Sequence, residues 1–594
     1  MTQTAAPIVF ETLETVMPDG VVLRADVARP AGSQETPVPV LLARCPYLGG
    51  WRPAFADAFG WRMDEPGQMA RVIKLQAGVD LEEVVAAGFG VVVQACRGTD
   101  RSEGTFRFYT DEADDGVATR QAVADLPWCD GTVLTFGASY LSMTQFIAAL
   151  VSTEHLVAMN TWVAPSTYDE DLMMRGGVLI EGPTYEWARH RVREGRMAGG
   201  LEDVPAELLP ADVTGYTALL TRVGIRSAAE ALASAHPVGV HVLDAVDHPL
   251  HDSHWESMSY PAQGLRRLGA QLPVLSVAGW YDLFLGGTLR NHELLSSGPT
   301  PAAGPHRLLI GPWTHINQTG DQPGRSFPHG GLENADAAAL HLDFWRAACG
   351  DADAAARLPE LPVRVYIMGA DRWLDLPAWP APGARDSRWR LACEDDGVLL
   401  PPGQPAPSDP GSTTWVHDPA HPVPTAGGQV FMGMPDSSGP HDQRPVEARD
   451  DVVSFTTAPL GEPVTVLGPV RLRAWVSADA TDAHLHAALT EVRPDGSSVL
   501  LTDGVLRLSA RHGADRMDPL VPGEVVEVEV DMWATGIEVP AGGRLRLNLS
   551  GSCWPRYSVA RPRGEEPVAL SIHHDDAHPS HLVLPLLDPA TARA

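Results

Sequence analysis

Lysine is almost missing from this chain: of 44 basic side chains in 594 residues, Lys74 is the single lysine and the others are arginine. Opposite them stand 75 Asp and Glu, for a formal net charge of −31. Holding a polyanion such as nucleic acid, or an anionic membrane face, takes concentrated cationic side chains, so this balance argues against both partners. The lysine shortage itself reads as coding bias rather than as a site. Cysteine is scarce too. Cys45, Cys96, Cys129, Cys349, Cys393 and Cys553 are scattered, with no CxxC spacing, which predicts free thiols in a reducing compartment rather than a disulfide framework. No uninterrupted apolar run approaches about 18 residues, and the first seven residues lack a basic then apolar leader, so a soluble, unprocessed, cytoplasmic protein is expected. Neither GxxxxGK[ST] nor GxGxxG occurs, and no cofactor is expected.

What the chain does have is length and ordinary apolar content, 44% of residues, enough for several cores. Extended segments and turns fill the first 45 residues, ending in the apolar run Val38 to Ala43. Helix and buried strand then alternate: Leu81 to Ala87, Gly90 to Ala95, Thr110 to Leu126, and Thr132 to Thr135. That alternation implies a mostly parallel sheet flanked by helices. Strand signal fades after about residue 165, where helix-like stretches such as Tyr185 to Met197 and Ala228 to Ala235 suggest a cap. It returns at Pro273 to Ala278 and Arg307 to Ile310. From Val452 onward short alternating runs recur between turns, reading as a β-sandwich of the jelly-roll kind. The expected division is a first α/β core part at 1–160, a helical cap at 161–265, a second core part at 266–378 and the β-sandwich at 379–594.

The chemistry enters at Phe136-Gly137-Ala138-Ser139-Tyr140, between a β-branched run and a helical stretch. A serine on a tight strand-to-helix turn is pushed out at the top of a sheet, and small neighbours leave room for the strained backbone. Downstream, Asp282 follows one strand-like run and His315 follows another, in the order Ser, Asp, His found in α/β-hydrolases. A hydroxyl needs a base within reach, and that base needs a group to fix its tautomer; His315 and Asp282 fill those roles. The Tyr140 backbone N–H and the phenol of Tyr47, in the loop after an early strand, are the candidate oxyanion donors. His248, His251 and His254 invite a zinc reading, but Pro249 prevents one helical face carrying all three, and no metal is expected.

Cys96-Arg97-Gly98, Ser102-Glu103-Gly104, Pro127-Trp128-Cys129-Asp130-Gly131, Gly137-Ala138-Ser139-Tyr140, Gly279-Trp280-Tyr281-Asp282 and Gly311-Pro312-Trp313-Thr314-His315 together resemble the bacterial cocaine-esterase and Xaa-Pro dipeptidyl-peptidase family of serine hydrolases. The likeness runs on through Asp442-Gln443-Arg444-Pro445 and Gly468-Pro469-Val470 to His581-Leu582-Val583-Leu584-Pro585, covering nearly the whole chain. It implies an α/β-hydrolase domain with a helical cap and a C-terminal jelly roll. It also implies a Ser139, Asp282, His315 triad and an oxyanion hole of Tyr47 and the Tyr140 amide.

Departures from the family pattern narrow the substrate. The elbow carries Ser142 where a glycine is usual. Members similar to α-amino acid ester hydrolases hold the substrate ammonium with carboxylates at positions that are Ser142, Phe284 and Leu285 here. Phe284 and Trp187 match positions lining an apolar acyl pocket in members similar to cocaine esterase. The expected substrate is therefore a small-molecule carboxylic ester with an apolar or aromatic acyl group, cleaved through an acyl-enzyme. An Xaa-Pro dipeptidyl peptidase or amide acylase is the alternative, with Asp169, Glu170 and Asp171 as carboxylates for a free N-terminus. A catalytically silent carbohydrate-binding or interaction protein is the alternative of another class. Oligomeric state is left open, a homo-oligomer included.

Overall fold

The structure, a computed structural model, describes residues 7–47, 74, 78–197, 208–210, 213–393, 397–405, 411–432 and 437–588. Its first half is built on β1 (Ile8–Val16), β2 (Val22–Pro30), β3 (Val38–Cys45), β4 (Gly90–Ala95), β5 (Cys129–Ala138) and β6 (Leu156–Trp162). After the small hairpin β7 (Met174–Arg175) and β8 (Val178–Leu179) come β9 (Val274–Tyr281) and β10 (Arg307–Thr314). A second small hairpin, β11 (Asp321–Gln322) and β12 (Arg325–Ser326), precedes β13 (Val363–Ile367) and β14 (Arg372–Leu376). Apart from the hairpins these form one ten-stranded sheet in the order β1-β2-β4-β3-β5-β6-β9-β10-β13-β14. Every pairing from β4 to β13 along that order is parallel, and the antiparallel pairs lie at the two edges. Parallel strands covered on both faces must be apolar throughout, and β4, β9 and β10 are buried at every position.

The chain between β6 and β9 is mainly helical: Glu181–Met197, Val213–Ala235, Val238–Asp247, Ser253–Glu256 and Ala262–Gly269. Two of these helices start earlier than the sequence pattern suggested. Val213–Ala235 is broken at Gly224, at φ 76° and ψ 157°, and that break interrupts the apolar period upstream of Ala228. Leu220, Leu232 and Val242 from these helices share one apolar cluster with Met143 and Phe146 behind Ser139, so the insertion has no separate core.

The remaining chain supplies β15 (Ala384–Cys393), β16 (Gly397–Leu400), β17 (Ser412–His417), β18 (Val452–Thr456), β19 (Val464–Ala478), β20 (His484–Val492), β21 (Ser498–Arg507), β22 (Val526–Val539), β23 (Arg544–Ser550), β24 (Val568–His573) and β25 (His581–Leu587). They hydrogen-bond as one eleven-stranded sheet, β17-β24-β19-β25-β15-β16-β18-β23-β20-β21, with β22 on β19. The two sheets share a core. Trp280 of β9 donates its Nε1–H to Tyr366 O at 2.7 Å, and a Cβ on Gly536 of β22 would lie 2.6 Å from the Trp280 ring. Among the described residues no helix is long and apolar enough to cross a membrane, and Cys96, Cys129, Cys349 and Cys553 are free thiols.

Buried histidines give the fold a pH dependence. Burial pushes His241 and His292 down to about 3, and His236, His341 and His484 to about 4, from an ordinary 6.5. A histidine held below its unfolded value contributes stability that is complete above pH 6.5 and is lost as pH falls towards 4, on the order of 1 kcal/mol per unit for each group. Asp171 and Glu181, raised by burial to about 6 and 7, act in the opposite sense over the same interval, but they are fewer. The melting temperature is expected to fall between pH 7 and pH 5. A melting temperature that holds or rises over that interval in a scanning calorimeter would refute this account.

Candidate active site

At the end of β5 the chain passes through Ser139 directly into the helix Tyr140–Val151. Ser139 sits at φ 58° and ψ −123°, backbone that residues with a Cβ adopt only when their surroundings enforce it. Those surroundings can be named. Ser139 N–H donates to Trp162 O at 3.0 Å. The buried Ser142 hydroxyl lies 2.6 Å from Gly137 O and 2.7 Å from Trp162 O, one hydrogen clamping the turn to β6. Gly137 has φ 142°, and a Cβ there would lie 2.4 Å from Leu141 Cβ. Gly137→Ala is accordingly expected to destabilise the protein by about 2–4 kcal/mol, since left-handed strain and overpacking add. An unchanged melting temperature in that variant would mean that the elbow is not held as tightly as these contacts imply.

Asp282 and His315 follow β9 and β10, neighbours in the sheet. Asp282 is fully buried and its two oxygens have separate partners: Oδ2 lies 2.8 Å from His315 Nδ1, and Oδ1 accepts the Phe284 N–H at 2.7 Å. One oxygen of Asp282 thus closes the local turn before the helix Leu285–Ser296, and the other is left to orient the histidine. With Nδ1–H directed at Asp282, Nε2 of His315 is the nitrogen left able to accept a proton. Two rings flank the imidazole, Phe284 edge-on and Phe431 tilted, each with its centroid at 5.5 Å.

Tyr47 lies two residues beyond β3, and Leu48 to Gly50 fall outside the described residues. The Trp187 Nε1–H donates to Tyr47 Oη at 3.3 Å, so the phenol proton is not spent on that contact. As the first helical residue, Tyr140 has a backbone N–H with no acceptor inside its own helix. A buried carboxylate ties the two together: Glu112 accepts from Tyr140 Oη at 2.8 Å and from Arg44 NH1 at 2.6 Å. Burial works against the Arg44 charge, but Glu112 and Asp115 outweigh it and hold the guanidinium above its ordinary range. β3, which leads into the Tyr47 loop, is thus joined through Glu112 to the helix that follows Ser139 by buried hydrogen bonds.

Trp187, on the helix Glu181–Met197, stacks on Tyr140 at 6.4 Å and meets Phe108 edge-on at 5.0 Å. Phe108 lies 3.9 Å from the His241 ring, which burial keeps neutral. Trp187 and Phe284 belong to one apolar cluster, the first on the Tyr47 side and the second on the His315 side. The alternative carboxylates are engaged elsewhere. Asp171 Oδ2 accepts the Ser166 and Thr167 N–H groups at 2.8 and 2.9 Å, and Glu170 pairs with Arg290 at 3.2 Å. The Asp169 side chain lies outside the described residues. Sequence reasoning missed Phe431 and Phe108. Neither sits in a motif, and Phe431 lies in a stretch rich in Pro, Gly and Asp that carries no strand or helix signal.

Among the described residues the histidines at 248, 251 and 254 do not form a group of three close ligand atoms; His248 and His254 stack at 4.2 Å, and the His251 backbone N–H donates to Ala514 O at 2.8 Å. Among the described residues one group of three metal-ligating types does come together, His486, Asp503 and Cys553, in the C-terminal sheet.

The fold, with Ser, Asp and His in chain order beyond parallel strands, defines an α/β-hydrolase of the serine-hydrolase class, acting on ester or peptide bonds. Within that class the chain belongs to the X-Pro dipeptidyl-peptidase (S15) family: the family's profile matches residues 19–317, and the X-Pro dipeptidyl-peptidase C-terminal non-catalytic domain matches 356–583. It is 33% identical to the cocaine esterase of Rhodococcus sp. (strain MB1 Bresler) over 597 residues, 96% of this chain and 97% of that one. In fold it is similar to an α-amino acid ester hydrolase, with a TM-score of 0.79 at 20% identity over 99% of this chain and 98% of that one. An aminopeptidase from the marine sediment archaeon Thaumarchaeota archaeon gives a TM-score of 0.78 at 20% identity, with the same coverage.

Proposed function

We propose that this enzyme hydrolyses carboxylic esters with an apolar or aromatic acyl group through a covalent acyl-enzyme. Ser139 is the nucleophile, His315 the base that takes its proton and returns it to the leaving alcohol, and Asp282 the group that fixes the imidazole tautomer. The Tyr140 N–H and the Tyr47 phenol stabilise the oxyanion, and Trp187 and Phe284 wall the acyl group.

The observation that carries the substrate reading is the aromatic surround of the imidazole and of Tyr47: Phe284 and Phe431 at 5.5 Å from His315, and Trp187 on Tyr47, where the nearby charge is the Arg191 guanidinium, 5.4 Å from the Tyr47 ring, which would repel an ammonium. Holding the free ammonium of a peptide needs a carboxylate facing the site. Asp171 is instead spent on its own turn, and Glu170 on Arg290. The homologue named as a cocaine esterase, itself an ester hydrolase by name, points the same way.

Initial rates on p-nitrophenyl acetate, butyrate and benzoate, beside Gly-Pro-p-nitroanilide, test this. Ester turnover should exceed anilide turnover by about 10² or more, and Phe284→Ala should raise KM for butyrate and benzoate more than for acetate, because a larger acyl group loses more apolar contact. Faster anilide cleavage would replace this reading with the dipeptidyl peptidase. Failure of the wild type to take up a fluorophosphonate would favour the silent binding protein.

A further inference from the structure

Strand pairing in the C-terminal sheet assembles a second cluster of reactive types. In the β20 to β21 ladder His486 faces Val505 and Ala488 faces Asp503, so His486 and Asp503 are diagonal neighbours on one face. On its other side β20 pairs with β23, where Ser550 faces His486, and the chain turns from there to Cys553. The donor atoms of all three residues lie within 4.8 Å of one another, and all three residues are buried. His486 Nε2 lies 3.2 Å from Asp503 Oδ2, and the Cys553 thiol lies 3.5 Å from Thr425 Oγ1. A cavity of about 20 Å³ opens beside them, lined by Cys553, His486 and Asp503 together with Gln443, Asn548 and Leu500. That is room for one or two non-hydrogen atoms.

We infer that Cys553, His486 and Asp503 form a thiolate–imidazolium–carboxylate site, separate from the hydrolase centre, that takes a small hydroperoxide. The surrounding charge decides between this and a metal site with the same three donors. Asp503 Oδ2 already accepts Arg556 NH1 at 2.6 Å, and Arg175 NH1 stands 3.7 Å from Oδ1. A divalent cation would enter beside two guanidinium groups and compete with them for the only carboxylate, whereas a thiolate gains from both. Burial works against the Cys553 anion, but the His486 charge and hydrogen bond more than offset it, and the thiol is held below its ordinary value. Burial likewise disfavours the His486 cation, and Cys553 and Asp503 overcome it, raising the imidazole to about 9. In the reaction, the Cys553 sulfur attacks the terminal peroxide oxygen, an S–O bond forms and the O–O bond breaks. Sulfur loses two electrons, and the leaving oxygen takes the His486 proton. The products, from hydrogen peroxide, are the Cys553 sulfenic acid and water.

Exposing the folded full-length protein to hydrogen peroxide, then unfolding it in urea with dimedone and locating adducts by peptide mass spectrometry, tests the site. At pH 6.5 Cys553 should be trapped at least tenfold faster than Cys349, an exposed residue whose thiol local burial pushes up to about 12. Between pH 6.5 and 8.5 the Cys553 rate should rise by less than the Cys349 rate, which should gain about a hundredfold. His486→Gln should slow Cys553 trapping about tenfold, and Cys553→Ser should abolish that adduct while leaving ester hydrolysis intact. Trapping no faster than at Cys349, or a Cys553 rate rising a hundredfold across that pH range, would overturn the proposal even if His486→Gln does not fold. Stoichiometric zinc in the native protein, protecting Cys553 from dimedone, would overturn it in favour of a metal site.

Discussion

Ser139→Ala is expected to lower kcat on a p-nitrophenyl ester by about 10⁶-fold, with KM changed little. The loss is that large because the alternative to acyl transfer through Ser139 is direct attack by water, for which His315 and the oxyanion donors are not arranged. What survives is the residual rate from binding and oxyanion stabilisation, about 10³–10⁴ over water. The variant should also lose the burst of p-nitrophenol that marks acyl-enzyme accumulation, and it should take up no fluorophosphonate. Its melting temperature should stay near that of the wild type. Alanine keeps the Cβ that makes φ 58° costly, and the clamps on the turn come from the Ser139 N–H and the Ser142 hydroxyl rather than from the Ser139 hydroxyl. Retention of more than about 1% of wild-type kcat would remove Ser139 from the nucleophile's role.

Much of the catalytic half was legible because its signals are local. Small residues before a serine, Gly137 and Ala138, between a β-branched run and a helix, are a statement about backbone at five consecutive residues, and strands buried on both faces announce themselves by composition. Less was legible where the decisive contact is distant in sequence. Phe431 comes within 5.5 Å of His315 from a loop more than a hundred residues downstream, and nothing in Gly427 to Phe431 marks it as part of the site. The Arg44, Glu112 and Tyr140 connection joins three elements by buried hydrogen bonds whose geometry has no sequence period. β15 was hidden for a different reason: Arg385, Asp386 and Arg388 are all exposed, so its first half shows no apolar alternation and looks like a charged loop until β25 pairs with it. The thiolate cluster escaped notice because its donors come from two ladder strands and a turn, at spacings no metal or redox motif shares.

Asp282→Asn should cost about 10⁴ in kcat, and the reason lies in how its two oxygens are divided. One accepts the Phe284 N–H at 2.7 Å and the other faces His315 Nδ1 at 2.8 Å, in a position with no exposure to solvent. An asparagine has a single acceptor oxygen. If that oxygen keeps the Phe284 N–H, its amide hydrogens point at Nδ1, which must then be the unprotonated nitrogen. His315 adopts the tautomer with the proton on Nε2 and can no longer take one from Ser139. If the oxygen faces His315 instead, the amide group confronts the Phe284 N–H, leaving two donors face to face in a buried turn, which costs about 1–3 kcal/mol. The first arrangement is favoured, since the backbone donor cannot rotate away. The test that isolates this from general damage is the double variant Ser139→Ala with Asp282→Asn. On the proposed roles Asp282 acts on catalysis through His315 and Ser139, so the double variant should be no slower than Ser139→Ala alone, although the single effects multiply to about 10¹⁰. A further tenfold loss in the double variant would mean that Asp282 supports the site by some route other than the histidine.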